Sequence, residues 1–449
     1  MSTRIRNMTE GRPLWLIVSF ALPLMLGNIF QQLYTVVDTM VVGKALGVRA
    51  LAALGASDWL NWMMLGIIQG FTQGFGIRMA QQFGAAQSEE LRHTIGASAV
   101  LSCFSAVFLI LIGQMALEPV LRLLKTPADI MQDSVLYLRI MFSGIPIVMA
   151  YNLLACVLRS MGDGQTPLQA MVLASFVNIV LDLVFVLVFH WGIAGAAAAT
   201  LIAQVFSGVY CYLRIRKMSG LSLEKRHFRL HGGKALSLLV LGWPMAFQNA
   251  IISVGGMIVQ MVVNKVSVLF IAGFTATNKL YGLLEIAATS YGYAMITYTG
   301  QNLGAGKIQR IRQGQRAAIG ISAVTSVLIA AVMILFGRGI LGWFISGTEE
   351  EIAQTMEVAY YYLVIMSICL PVLYVLHVTR STVQGMGNTV LPMTSGIAEF
   401  VMRTGAALLL PMLVGEAGIF YAEVLAWAGA DLILIPSYFI TVRKTEEMR

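Results

Sequence analysis

Charge is what this chain has least of. Asp, Glu, Lys and Arg make up 12% of its 449 residues, where a soluble globular protein carries roughly 25%. Catalytic signatures are also missing. There is no Gly-x-x-x-x-Gly-Lys-Ser/Thr loop to cradle a nucleotide, which argues against ATP-driven pumping by this chain alone. Neither Gly-x-Ser-x-Gly nor His-Glu-x-x-His occurs, and the five His are scattered, so the sequence offers no hydrolase or zinc-protease site and reads as no enzyme. The four Cys (Cys103, Cys156, Cys211 and Cys369) lie within or at the ends of apolar stretches without metal-ligand spacing, and read as small buried hydrophobes.

What is abundant is apolar. Hydrophobic residues reach 58% and the mean hydropathy is +0.77. With about 20 residues per membrane crossing, the apolar blocks read as twelve, at roughly 14–42, 50–73, 94–116, 134–157, 167–190, 193–213, 235–263, 268–293, 317–337, 358–379, 390–412 and 417–440. The fold class is therefore an all-α polytopic membrane protein with twelve transmembrane helices. The basic start and long Pro13-led apolar run lack an Ala-x-Ala cleavage pattern and read as a retained first helix.

The net charge of +8 follows orientation rather than nucleic-acid binding. With the N-terminus in the cytoplasm, only Lys44, Arg49, Arg122, Lys125, Lys265 and Arg338 fall in the odd-numbered loops. Most other Lys and Arg fall at the termini and in the even-numbered loops, the bias that holds basic loops inside. Both termini are expected to be cytoplasmic.

The longest polar interval, 214–234, carries Arg214, Arg216, Lys217, Lys225, Arg226, Arg229 and Lys234. It divides the chain into an N-terminal six-helix lobe at 1–213 and a C-terminal six-helix lobe at 235–449. The halves repeat. Leu22-Pro23 and Asn28 match Trp243-Pro244 and Asn249, and Gln81-Gln82-Phe83-Gly84-Ala85 matches Gln301-Asn302-Leu303-Gly304-Ala305. Pro146, Met161-Gly162 and Pro167 match Pro371, Met386-Gly387 and Pro392 at one constant offset. An even number of spans per half makes this a parallel repeat, with its pseudo-twofold axis along the membrane normal, as in many transporters. Pro23, Pro146, Pro244 and Pro371 each remove a backbone donor and favour a kink.

Against that apolar background a few polar residues stand out. Asn178 and Asp182 are four apart, hence on one helix face, inside the fifth apolar block. A carboxylate there costs at least ~2.5–3.5 kcal/mol, so it is expected to face protein or water. Asp38 raises the same question in the first block. Asp38, Asn178, Asp182 and Thr200 are hard oxygen donors suited to Na⁺, and two nearby acids can equally share a proton. The alternative is that each acid caps a helix or bonds backbone separately. In the second half, Glu399 and Arg403 are spaced to pair along one helix, as a structural ion pair or as part of a substrate site. Lys279 and Glu285, six apart, do not share a face. Gln31, Gln32, Tyr34, Gln69 and Gln73 are candidates to line a path, as is Glu285, and Asp58 reads as a helix N-cap.

Taken in order, these residues resemble the multidrug and toxic compound extrusion (MATE) transporters. The resemblance is carried by Pro23, Gln31-Gln32-Leu33-Tyr34, Val37-Asp38-Thr39, Gly84-Ala85, Arg159-Ser160-Met161-Gly162-Asp163, Thr166-Pro167, Asn178 to Asp182 and Gly192-Ile193-Ala194-Gly195-Ala196-Ala197. It covers roughly residues 12–440. The loop after the second block lacks the Gly-x-x-x-Asp-Arg-x-Gly-Arg signature of major-facilitator transporters. The resemblance implies two six-helix bundles, efflux of organic and often cationic compounds, and coupling to Na⁺ or H⁺ with no other cofactor. It also implies a cation site at the positions of Asp38, Asn178, Asp182 and Thr200. Some members carry an acid in the seventh segment where this chain has Ile251-Ile252-Ser253, so a site there is not carried over. Glu399 with Arg403 resembles the branch of DNA-damage-inducible members.

The expected protein is a multi-pass antiporter of the bacterial cytoplasmic membrane, working as a monomer with small organic molecules and membrane lipids as partners. The alternatives are a flippase for a lipid-linked or amphipathic substrate, which calls for a strongly basic cavity that the first-half acids oppose, and a channel, for which no filter sequence or charge ring appears.

Overall fold

The computed structural model describes residues 5–218, 220–345 and 347–447. Among them the chain forms fourteen α-helices and no strand: α1 Pro13–Leu46, α2 Val48–Gly84, α3 Ser88–Leu123, α4 Ala128–Ser143, α5 Ile145–Ser160, α6 Gln165–Asp182, α7 Gly192–Arg216, α8 Gly232–Val263, α9 Val268–Gly304, α10 Ile308–Leu341, α11 Glu349–Ile368, α12 Leu370–Gly385, α13 Val390–Val414 and α14 Tyr421–Glu447. All-helical structure suits a lipid solvent, because each helix satisfies its own backbone donors and acceptors.

Fourteen helices resolve to the twelve expected segments. Two pairs, α4 with α5 and α11 with α12, are each one span bent by 48°. The breaks have a local cause. Pro146 and Pro371 each occupy the first turn of the second helix, where the missing N–H is harmless, whereas an uninterrupted helix would leave a carbonyl without its donor. With those pairs, eleven spans are long and apolar enough to cross a membrane among the described residues. The remaining rod, α9, is 37 residues long but buries Thr277, Ser290, Thr297, Thr299, Gln301 and Asn302, which lowers its hydropathy.

The repeat in the sequence is a repeat in the structure. The helices α2 and α9 are both 37 residues long, and α5 and α12 are both 16. Each of the latter ends at a Met-Gly pair whose glycine is left-handed, Gly162 at φ +83° and Gly387 at φ +87°, a conformation that suits glycine at a helix C-terminus.

The chain divides into two compact units. One comprises Met1–Met8 and Leu22–Ala246, the other Thr9–Ala21 and Phe247–Arg449. Both divisions within a long helix fall next to the matched prolines, Pro23 in α1 and Pro244 in α8. In the first unit, α2 packs on α3, α4 and α5, and α7 packs on α4, α5 and α6. Helix α2 and the start of α8 approach closely. A Cβ on Gly70 would stand 2.4 Å from the Ala246 backbone, and one on Gly74 2.4 Å from Gly242 Cα. Small residues one turn apart let the two backbones touch, the usual device of membrane helices. Gly74→Ala is therefore expected to destabilise the protein by about 1–3 kcal/mol. A thermal melt in detergent checks this, with Gly320→Ala as the control, because a Cβ there meets open space.

The interval 214–234 is fastened to the first unit through the start of α3. His227 contacts Glu89 at 3.1 Å, Lys234 contacts Glu90 at 2.8 Å and Arg92 Nε donates to Gly220 O at 3.1 Å. Glu89, His93 and His227 bring three metal-type atoms within 4.8 Å of one another. The ring chemistry speaks against a metal. His227 Nδ1 accepts the Glu224 backbone N–H at 2.8 Å, so its proton sits on Nε2 and is given to Glu89. This is a clamp on the linker.

In the second unit, α9 packs on α10, α11 and α12, and α14 on α12 and α13. An aromatic stack of Phe270, Phe420, Tyr362 and Phe274 runs through it, with ring centroids 4.9–5.2 Å apart. Asp58 lies ten residues inside α2, which begins at Val48. It is not the N-cap its place in the sequence suggested, because the helix starts upstream of the apolar block.

Candidate cation site and buried charge network

The first unit brings together three of the four polar residues singled out in its sequence. Helix α1 lies against α6 where Gly27 leaves room: a Cβ there would meet Met171 Sδ at 3.4 Å and Leu168 Cα at 3.7 Å. From Gly27 to Asp38, and from Met171 to Asp182, is the same eleven-residue step, about three helical turns. The two helices thus present Asp38 and Asp182 side by side. Their carboxyl groups are within hydrogen-bonding reach of each other.

The pair is buried, with Asp182 0%, Asn178 1% and Asp38 9% exposed. Apart from one another, Asp38 Oδ1 and both Asp182 oxygens have no hydrogen-bond partner among the described residues, nor has either polar atom of the Asn178 side chain. Two carboxylates only accept, so a contact between them needs a shared cation, either a proton or a metal ion coordinated by their oxygens. The unsatisfied amide of Asn178, one turn before Asp182, adds a further hard oxygen.

Immediately after Asp182 the chain leaves α-geometry. Residues Leu183–Val188 form a π-helical turn, in which Phe189 N–H reaches Val184 O at 2.9 Å. Such turns are inserted wide spots in a helix and often mark functional sites. The counterpart in the second unit, α13, continues as an unbroken α-helix to Val414.

The other first-half candidates are near but not joined in one cluster. Gln31 hydrogen-bonds Tyr34 one turn away, and Tyr34 lies within electrostatic range of both aspartates. Tyr137 on α4, which nothing local in the sequence marks, faces the same pair. Thr200 is half-buried on α7, and no hydrogen bond joins it to the carboxyl pair. Gln204, one turn further on, carries a buried side-chain oxygen without a partner. Gln32, Gln69 and Gln73 are half-buried on α1 and α2.

The second unit holds a different arrangement. Glu399 and Arg403 pair as their spacing predicts, at 2.9 Å. They are part of a larger set. Arg380 on α12 binds the other Glu399 oxygen at 2.7 Å, and Arg403 also binds Glu423 on α14 at 2.8 Å and Ile252 O at 3.2 Å. Two arginines and two glutamates close a neutral, buried network. Nothing local in the sequence marks Arg380, because its acid lies nineteen positions away, a pairing that only packing creates. Glu285 contacts His377 at 3.3 Å. Lys279, six residues before Glu285, is exposed.

Comparison with known proteins places this geometry in a family. A family model described as MatE matches residues 23–184 and 244–409. The chain is 30% identical over 340 residues to the probable multidrug resistance protein YpnP of Bacillus subtilis (strain 168), a match covering 76% of each protein. It is 26% identical over 360 residues to the DNA damage-inducible protein F of Escherichia coli (strain K12), covering 76% of this chain and 74% of that protein. A MATE protein solved in complex with MaL6 superposes with a TM-score of 0.90 at 21% identity, covering 99% of this chain and 100% of the other. The family consists of transporters rather than enzymes. The matched model covers both halves of the repeat, and the chain is a multi-pass membrane transporter of the MATE family.

Proposed function

We propose that the chain is a secondary antiporter that exports organic, often cationic, compounds in exchange for Na⁺ or H⁺ by alternating access. The observation that carries this reading is the buried contact of Asp38 with Asp182, in which Asp38 Oδ1 and both Asp182 oxygens have no other hydrogen-bond partner among the described residues. A carboxyl pair that a cation must bridge is a binding site whose occupancy changes the local charge by one unit, and charge in a low-dielectric interior is costly to leave unbalanced. Asn178 contributes an oxygen to the bound ion, and Thr200 completes the set from α7. A cation shifts the balance between inward- and outward-open states only by its differential affinity for the two. Substrate binding favours the opposite state.

The protein works as a monomer in the bacterial cytoplasmic membrane, with both termini on the basic, cytoplasmic side. The N-terminal lobe at 1–213 carries the cation site, and the lobe at 235–449 follows the linker. Likeness to proteins named for multidrug resistance supports export of small compounds over the flipping of a lipid-linked or amphipathic substrate, which the acids of the first unit also oppose.

Transport in proteoliposomes with Na⁺ and H⁺ gradients imposed one at a time tests the reading across a panel of organic cations. At least one gradient is expected to drive substrate against its own gradient. Equal flux with and without both gradients would overturn coupling.

A further inference from the structure

Among the described residues of the second unit, Asp431, which is buried, and Glu285, which is partly exposed, form no ion pair with an arginine. Glu399 is held by Arg380 and Arg403, and Glu423 by Arg403, and their side chains are 5% and 17% exposed. Among the described residues Glu285 pairs with neither arginine nor lysine. Its contact is with the His377 ring at 3.3 Å, and its side chain remains 33% exposed. It sits near the middle of the 37-residue α9, where an acid is costly without a compensating charge.

Aromatic rings flank it. Tyr281, one turn before Glu285 on the same face, stacks on Trp427 with ring centroids 5.9 Å apart and planes at 16°. Tyr374, on the helix that carries His377, donates to Leu284 O at 2.9 Å. An accessible carboxylate beside the half-buried ring of Tyr281 is the chemistry that recognises an ammonium or phosphonium group, through charge and through the ring quadrupole. His377 occupies the carboxylate as a weak internal competitor. Glu399 lies within range of His377 as well, but both of its oxygens are already taken by arginine.

We infer that Glu285, with Tyr281 beside it, is a subsite of the second unit that takes the cationic group of an organic substrate in place of His377. This rests on the proposed export of organic compounds and adds to it a specificity-determining residue distinct from the cation site of the first unit. The two carboxylate sites then divide the work: the Asp38–Asp182 pair holds the coupling ion and Glu285 selects the cargo.

Binding of tetraphenylphosphonium to the purified full-length chain in detergent, by equilibrium dialysis at fixed pH and low salt, tests the assignment. Glu285→Gln is expected to raise the Kd by about tenfold. His377→Ala is expected to lower it by about threefold, because the competitor is gone. In the Glu285→Gln background, His377→Ala should change nothing. Tightening by His377→Ala cannot come from misfolding, so its sign separates a subsite from a brace. Weakening by both single variants, or wild-type affinity in Glu285→Gln, overturns the assignment while leaving the antiport reading standing. That reading fails separately if wild-type vesicles show no gradient-driven flux.

Discussion

Asp182→Asn is expected to reduce gradient-driven export by more than about tenfold, without loss of membrane insertion. The substitution keeps nearly the same shape and removes one of two carboxyl groups that meet in the first unit. An amide can donate to Asp38 permanently, so the position no longer needs a cation and can no longer release one. The same change supplies a donor to a buried, unsatisfied acceptor, so thermal stability is expected to hold or rise, since satisfying such a group is worth about 1–3 kcal/mol. Opposite effects on transport and on melting distinguish a coupling site from a structural one. Proteoliposome flux and a detergent melt on the same preparation measure both. If stability and transport fall together, Asp182 is part of the scaffold.

The second large effect concerns folding. Arg403→Met is expected to destabilise the protein by about 3–5 kcal/mol, the usual result of stripping one partner from a buried pair. Arg403 side-chain exposure is 6%, and it faces two acids, Glu399 and Glu423. Removing it leaves Arg380 to balance both. Adding Glu423→Gln restores the charge count, because the Arg380–Glu399 contact at 2.7 Å is untouched. Much of the lost stability is therefore expected to return in the double variant, as non-additivity between the two sites. If folding returns and export does not, Arg403 or Glu423 acts in transport as well as in the scaffold. If the double variant is less stable than the sum of the singles, the network is not held by charge balance.

Both expectations rest on features that were unequally legible in the sequence. Twelve apolar blocks, and the matched Pro146/Pro371 and Met161-Gly162/Met386-Gly387 pairs, were readable because apolar periodicity and backbone-restricting residues act locally. They reappear as twelve rods with two equal 48° bends and two left-handed glycines. The approach of Asp38 to Asp182 was readable only through resemblance, since the two lie far apart in the chain and nothing local says that α1 and α6 meet. The structure supplies the reason in the room left by Gly27. The Glu399–Arg403 pair was legible from its four-residue spacing, whereas Arg380, His377 and Tyr137 were not, because their partners come from other helices. The π turn after Asp182 left no mark in composition, as its residues Leu183–Val188 are as apolar as any α-helical stretch. It falls on one side of the repeat only, together with Asp182 itself, while the corresponding stretch of α13 stays α-helical. That asymmetry ties the local distortion to the Asp38–Asp182 pair rather than to the shared architecture.

The Asp38–Asp182 pair is proposed to bind the coupling cation and to give it up when substrate binds. The direct measurement is cation release from purified protein on adding a transported organic cation. Proton release is followed with a pH indicator in weak buffer and Na⁺ release with isotopic sodium. The wild-type chain is expected to release one of the two ions and Asp182→Asn neither. Equal release by the two proteins would contradict it.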